Sequence, residues 1–142
     1  MLLGHLGISA LIHHYAKLEF GSLMLGGVFP DIFDKSLCQV LKVTKSGRFA
    51  AHTLLALGSS TVIIYIWRGP FSALSWAAGY LGHLLGDLGG FIPWFYPFKA
   101  YDFQPSTSHL PDLFWAVFKK TKPLEILLLF WAFYLWLQDK KA

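Results

Sequence analysis

Apolar residues occur in long runs that are separated by short polar or basic segments. Runs with little or no charge cover residues 1–16, 20–30, 49–67, 69–86 and 126–138. A membrane-spanning helix needs about 20 apolar residues, so only the two middle runs approach a full span. The shorter runs suit tilted, half-inserted or packed helices. The pattern predicts an all-α fold, an integral membrane helical bundle of about four to six helices.

Turn signals arrange the first runs as a short helical hairpin. Its first helix is predicted to end near Ala16-Lys17, and its second covers 20–29. Pro30 closes the second helix, because the residue before a proline disfavours helical geometry. Residues 31–48 carry three lysines and Arg48, so they are expected to form a basic connection outside the hydrocarbon.

A second hairpin and a C-terminal helix complete the predicted bundle. Helices over 49–67 and 71–88 are joined by Arg68-Gly69-Pro70, a sequence suited to a tight turn. Aromatic residues and prolines alternate over 91–98, as expected for a loop at the lipid headgroups. A short interfacial helix is predicted over 108–118. We expect one membrane-embedded domain, 1–142, with a motif-bearing core in 1–100 and an interfacial and membrane segment in 101–142.

Composition supports a membrane protein. The 142 residues are 55% hydrophobic and 14% charged, with a mean hydropathy of +0.49, which leaves too little charge to cover a soluble domain. The net charge is +4, but the basic residues flank apolar runs, which favours membrane lipids over nucleic acid as partners. The single Cys38 excludes an intramolecular disulfide and a Cys-rich zinc motif. The short outer runs leave homo-oligomerisation open.

His83 and Asp87 are the most informative polar residues. They lie one helical turn apart, on one helix face, inside an otherwise apolar segment. Both side chains are costly in hydrocarbon unless something binds them, and a metal ion is the favoured ligand. The alternative is a hydrogen-bonded pair that joins helices. When residues are counted from the turn of the second hairpin, these two residues return to a height similar to that of His52. His5 and Asp31 match in the same way in the first hairpin. All five side chains are therefore predicted to converge.

Five motifs occur along the chain in this order: Gly4-His5, Pro30-Asp31-Ile32-Phe33-Asp34, Arg48-Phe49-Ala50-Ala51-His52, Gly82-His83-Leu84-Leu85-Gly86-Asp87 and the aromatic segment 93–98. Together they resemble the family of prokaryotic membrane-bound metal-dependent hydrolases of the inner membrane. The order of histidines and aspartates is also distantly similar to zinc-dependent phospholipase C. The resemblance implies a helical, membrane-embedded hydrolase. This chain departs from the family pattern at Phe33, where the family has its second acid, and at Gly47 and Ala51.

Imidazoles and carboxylates without thiolates favour zinc, as one or two ions. We assign His52, His83 and Asp87 to one ion, with Asp87 bridging to a second ion that His5 completes. The remaining acid of the set, Asp31, is expected to act as a general base toward bound water, or as a further metal ligand.

Arg48 is the second predicted catalytic residue, because its planar guanidinium suits a phosphate oxygen. Simpler roles remain open for the acids, since Asp31 would also suit a helix cap and Asp34 a first-turn carboxylate. The adjacent His13 and His14 point in different directions on a helix, so they are not expected to bind one ion together. His109 is expected to be solvated.

The predicted function is metal-dependent hydrolysis of a phosphoester in a lipid or lipid-linked substrate. The alternative is a non-catalytic membrane protein with a structural or metal-transfer site. The loops beside the second hairpin carry more lysine and arginine than the turn at Arg68, so the positive-inside tendency predicts an inner-membrane protein whose site faces the cytoplasm.

Overall fold

The computed structural model describes residues 2–105 and 123–139. These ranges contain five α-helices and no strand, which confirms the all-α prediction. The helices are α1 (Leu2–Ala16), α2 (Phe20–Lys35), α3 (Leu54–Arg68), α4 (Pro70–Gly86) and α5 (Pro123–Asp139). A π-helical turn, Ser36–Val40, follows α2, and a 3-10 turn, Ala50–His52, precedes α3.

The length and apolarity of the helices can be compared with those of a membrane span. Within the described ranges, no helix is both long and apolar enough to cross a bilayer. The two helices predicted to approach a full span correspond to α3 and α4, which have 15 and 17 residues. The interfacial helix predicted over 108–118, which includes His109, lies outside the described residues.

The prediction that a helix ends before Pro30 is wrong, because α2 continues through this proline to Lys35. A proline inside a helix removes one backbone hydrogen bond and is locally unfavourable. Here Pro30 is fully buried in the helix packing, which offsets the local cost. The residues expected in a basic connection therefore begin in the last two turns of α2. Asp31 consequently does not cap a following helix, and Asp34 is not in a first turn.

Helices α2 and α4 pack with their backbones in contact. A Cβ atom added at Gly79 of α4 would lie 2.0 Å from the carbonyl oxygen of Leu23. One added at Gly26 of α2 would lie 2.3 Å from the carbonyl oxygen of Trp76. Contacts this short exclude any side chain at these two positions. The close approach lets a side chain of α4 reach the backbone of α2.

The prediction of a helix from Phe49 is also wrong at its start. Residues 50–52 form the 3-10 turn, and Thr53 is extended and caps α3, its hydroxyl accepting a hydrogen bond from the amide of Ala56 at 3.0 Å. The hydroxyl of Tyr80 in α4 donates to the carbonyl of Ala51 and holds the turn against the bundle. Because the turn precedes α3, His52 is outside that helix and fully buried.

Helix α1 lies between α4 and α5, and both contacts locate His5. A Cβ added at Gly86 of α4 would lie 3.1 Å from His5 Nδ1, so the two helices nearly touch there. On the other side, the backbone amide of Gly4 donates to Glu125 Oε2 of α5 at 3.2 Å. A carboxylate is favourable near a helix N-terminus. The C-terminal helix thus anchors the start of α1.

Candidate metal centre

The side chains predicted to converge lie in one buried cluster. They come from α1, the end of α2, the 3-10 turn, α4 and the residue after α4, and none is more than 6% exposed. They are His5, Asp31, His52, His83 and Asp87. Four separate segments are therefore needed to build the cluster, and the last of them is α4 with the residue that follows it.

Hydrogen bonds determine which ring nitrogens of His52 and His83 face the cluster. His83 Nδ1 lies 2.8 Å from the carbonyl oxygen of Gly27, which can only accept, so this nitrogen donates. His52 Nδ1 lies 2.7 Å from Asp34 Oδ2 and donates in the same way. In neutral imidazoles both Nε2 atoms then carry lone pairs. This arrangement, with a partner fixing the far nitrogen, is typical of metal-ligating histidines.

The two Nε2 lone pairs face each other at 3.3 Å. Two acceptors at this distance repel unless a proton or a cation lies between them. Asp87 Oδ2 is 3.8 Å from His52 Nε2 and 3.9 Å from His83 Nε2. Ligands of a tetrahedral zinc ion, at about 2.0–2.1 Å from the metal, lie roughly 3.3–3.4 Å from one another. The three side chains assigned to one ion therefore have a spacing close to that of a zinc site.

Other groupings of the same residues also satisfy the spacing of metal ligands. Ligand atoms of Asp31, His52 and His83 lie within 4.8 Å of one another, and so do those of His5, His83 and Asp87. His83 is common to both groups, whereas Asp87 is the bridging residue predicted from the sequence. Asp31 is therefore a candidate metal ligand by its spacing, in addition to a candidate base next to the ion.

His5 and Asp87 carry buried polar atoms without hydrogen-bond partners. The His5 ring stacks on the His83 ring with centroids 3.8 Å apart, and neither of its nitrogens has a hydrogen-bond partner. His5 Nε2 lies 3.5 Å from Asp87 Oδ1, and this oxygen has no hydrogen-bond partner, whereas Asp87 Oδ2 forms an ion pair with Arg48. Burying such atoms is costly unless a ligand satisfies them. A cation bound here would satisfy both residues.

Asp34 is a site residue that was not among those predicted from the sequence. It is fully buried and accepts hydrogen bonds from the amides of Phe49 and Ala51, at 2.6 and 2.9 Å, and from His52 Nδ1. The carboxylate thus orients His52 and holds the turn that carries it. A helix continuing through Pro30 would have placed Asp31 and Asp34 on neighbouring positions of one face, and this spacing was the available signal.

Two cations lie at the edge of the cluster, where they line a cavity of about 260 Å³. Lys35 Nζ is 2.6 Å from Asp31 Oδ2, and Arg48 Nη2 is 2.7 Å from Asp87 Oδ2. Burial alone would raise the pKa of Asp87, but the neighbouring His5 and the Arg48 guanidinium outweigh it and hold that pKa well below its usual range. Asp87 is therefore ionised at neutral pH. Arg48 is at the predicted site, and its partner there is Asp87.

The remaining histidines lie apart from this cluster or outside the described residues. His13 Nδ1 bonds with the carbonyl oxygen of Leu18, at the turn between α1 and α2. His14 contacts the ring of Tyr15. Neither belongs to the groups with metal-ligand spacing among the described residues.

Residues 2–141 match the family model of the YdjM inner membrane protein. The chain therefore belongs to this family of inner-membrane proteins, and membership supports a location in the membrane. No curated protein and no solved structure gives a significant match.

Proposed function

We propose that this chain is a membrane-embedded, metal-dependent hydrolase that cleaves a phosphoester in a lipid or lipid-linked substrate. The observation that carries the proposal is the pair of imidazole lone pairs, from His52 and His83, facing each other beside buried carboxylates. Electron-rich atoms gathered in this way favour a divalent cation. Nitrogen and oxygen donors at near-tetrahedral spacing favour zinc.

A divalent cation held by His52, His83 and Asp87 would polarise a phosphoryl oxygen and lower the pKa of water toward about 7. His5 would complete a second position next to Asp87. The hydrogen bonds to Gly27 and Asp34 keep the two Nε2 atoms directed into the cluster. These residues hold and orient the reactants, which is what preorganised electrostatic catalysis requires.

Asp31 and Arg48 provide the remaining chemistry from the side of the cavity. Asp31 borders the cavity and would take a proton from water as the oxygen of that water attacks phosphorus. The P–O bond to the leaving alcohol breaks, and the proton passes to the alkoxide. Arg48 would hold a non-bridging phosphate oxygen with its planar guanidinium.

A second cavity, about 380 Å³ in volume, supports a substrate with an apolar portion. It lies along α3 and is bordered by Ala51 and Thr53, the two neighbours of His52. Its other walls include Phe29 and Phe33 of α2 and Ile63 of α3. An acyl chain fits such a lining, because apolar surface on both partners is removed from water.

Replacing His52 with alanine tests the proposal, and His14→Ala is the matched control on α1. Purified wild-type protein should contain one or two zinc ions per chain and hydrolyse bis(p-nitrophenyl) phosphate or p-nitrophenyl phosphate. The His52 variant should lose most of its metal and its activity, whereas the control should keep both. Metal-free wild-type protein after gentle purification, or a His52 variant with full activity, would contradict the proposal.

A structural or metal-transfer site is the second candidate, and the depth of the cluster favours it. His5, His52 and His83 are at most 2% exposed, so a bound ion would be well shielded from solvent. A structural ion would raise the unfolding temperature without any hydrolysis. In that case His52→Ala would lower metal content and thermal stability, and no tested phosphoester would be cleaved.

We also propose that the site faces the cytoplasm, since Lys35, Lys42, Lys45 and Arg48 lie near it in the chain. Labelling a cysteine introduced at Lys45, in a Cys38→Ser background, with a membrane-impermeant maleimide tests the orientation. Inside-out vesicles should be labelled and right-side-out vesicles should not.

A further inference from the structure

Lys35 and Arg48 separate the buried cluster from solvent. Their side chains are 32% and 31% exposed, whereas the carboxylates of Asp31 and Asp87 with which they pair are 8% and 2% exposed. The ammonium and guanidinium groups therefore lie at the mouth of the 260 Å³ cavity, and the carboxylates lie behind them.

Each of these carboxylates also faces the imidazoles. Asp31 Oδ1 is 3.7 Å from His52 Nε2, and Asp87 Oδ2 is 3.8 Å from the same nitrogen. A divalent cation beside His52 would thus compete with Lys35 and Arg48 for the same two carboxylates. The charge of such an ion would offset that of the carboxylates, so the two side chains at the mouth would lose part of their counter-charge and could attract an anion.

Binding of a divalent cation would also change the sign of the net charge of the site. Three carboxylates, of Asp31, Asp34 and Asp87, and the two cations give a net charge of −1 when the imidazoles are neutral. One divalent cation changes this to +1. The cavity is smaller than the roughly 300–1,000 Å³ of pockets for drug-sized ligands, so it suits a single small group. A phosphate group has the matching charge, size and oxygen acceptors for this cavity.

We propose that Lys35 and Arg48 form a phosphate subsite whose affinity rises when a divalent cation occupies the histidine cluster. The inference rests on the proposed function. It assigns substrate binding to Lys35, which was predicted from the sequence only as part of a basic connection. The same subsite accepts free phosphate or the phosphate of a lipid headgroup. The alternative is that Lys35 and Asp31 form only a stabilising ion pair at positions i and i+4 of the helix.

The test measures phosphate binding to full-length protein in detergent, with zinc loaded and after chelation, by isothermal titration calorimetry. Wild-type protein should bind inorganic phosphate at least about 10-fold more tightly with zinc than without it. Lys35→Gln should weaken binding to the zinc-loaded protein by about 10-fold, because a charge-assisted contact is lost. Lys42→Gln is the matched control, since Lys42 is exposed and does not border the cavity.

Zinc content is measured for every variant before phosphate is added. A Lys35 variant that keeps its zinc and binds phosphate as tightly as wild type would overturn the subsite and leave the hydrolase proposal standing. Protein that binds no zinc would overturn both. Competition by micellar phosphatidylglycerol, but not by micellar diacylglycerol, would identify the lipid headgroup as a ligand. Competition by neither lipid would restrict the subsite to free phosphate.

Discussion

Replacing Asp34 with asparagine tests whether this carboxylate orients His52. The side chain is fully buried, and its two oxygens accept three hydrogen bonds. Asparagine has nearly the same shape but only one acceptor oxygen. If that oxygen keeps the bonds from Phe49 and His52, the amide nitrogen of the new side chain faces the N–H of Ala51, and two donors oppose each other.

The cost follows from these contacts. An unsatisfied buried N–H costs about 1–3 kcal/mol, and the bonds that remain lose their charge-assisted strength. We therefore expect Asp34→Asn to lower the free energy of unfolding by about 2–4 kcal/mol. Zinc affinity should fall by about 10- to 100-fold, as when the partner of a ligating histidine is removed.

Two measurements check this expectation in detergent micelles: thermal unfolding with and without zinc, and zinc affinity by competition with a chelator. Asp102→Asn is the control, because it makes the same charge change at an exposed loop residue. A zinc affinity of Asp34→Asn within about twofold of wild type would refute the positioning role. An equal loss in the Asp102 variant would attribute the effect to net charge.

Three further predictions concern the packing and the charged groups of the helices. Gly79→Ala places a Cβ 2.0 Å from a carbonyl oxygen of α2 and should lower the free energy of unfolding by about 3 kcal/mol. Gly58→Ala has open space around it and should raise the free energy of unfolding by about 0.5–1 kcal/mol. Equal shifts of the unfolding temperature in the two variants would contradict this difference. Serine hydroxyls, first that of Ser72, lower the pKa of Glu19 from 4.5. Ionised Glu19 therefore stabilises the folded state fully above pH 4.5, and this contribution is lost as the pH falls through the lower pKa of the folded state. Glu19→Gln removes the contribution, so the unfolding temperature of the variant should fall less than that of the wild type between pH 6 and pH 3. Glu125→Ala removes the acceptor for a backbone amide at the start of α1 and should weaken zinc binding through His5, measured by chelator competition; an unchanged affinity would show that α5 does not position the site.

The convergence of the histidines and aspartates was predictable because helical rise is nearly independent of sequence. A helix advances about 1.5 Å per residue, so distances counted from a turn give heights along a hairpin. This reasoning placed His5, His83 and Asp87 correctly at one level. It also placed His52 there, although that residue lies in a 3-10 turn and not in α3.

The contacts around these residues were not predictable by the same means, because local rules compete with packing that the sequence does not display. The proline rule ended α2 at residue 29, whereas the helix continues to Lys35 through a fully buried Pro30. Because the helix is longer, Asp34 accepts hydrogen bonds from the 3-10 turn that carries His52, and Lys35 pairs with Asp31.

Glu125 and Gly4 are an extreme case, because they meet across 121 positions of the chain and no local pattern relates them. The side chains expected to coordinate the ion follow from periodicity, whereas those that hold them follow from long-range packing. Variants at Asp34 and Glu125 should therefore change metal affinity although every candidate ligand is still present. This outcome would separate the contribution of the positioning residues from that of the ligands.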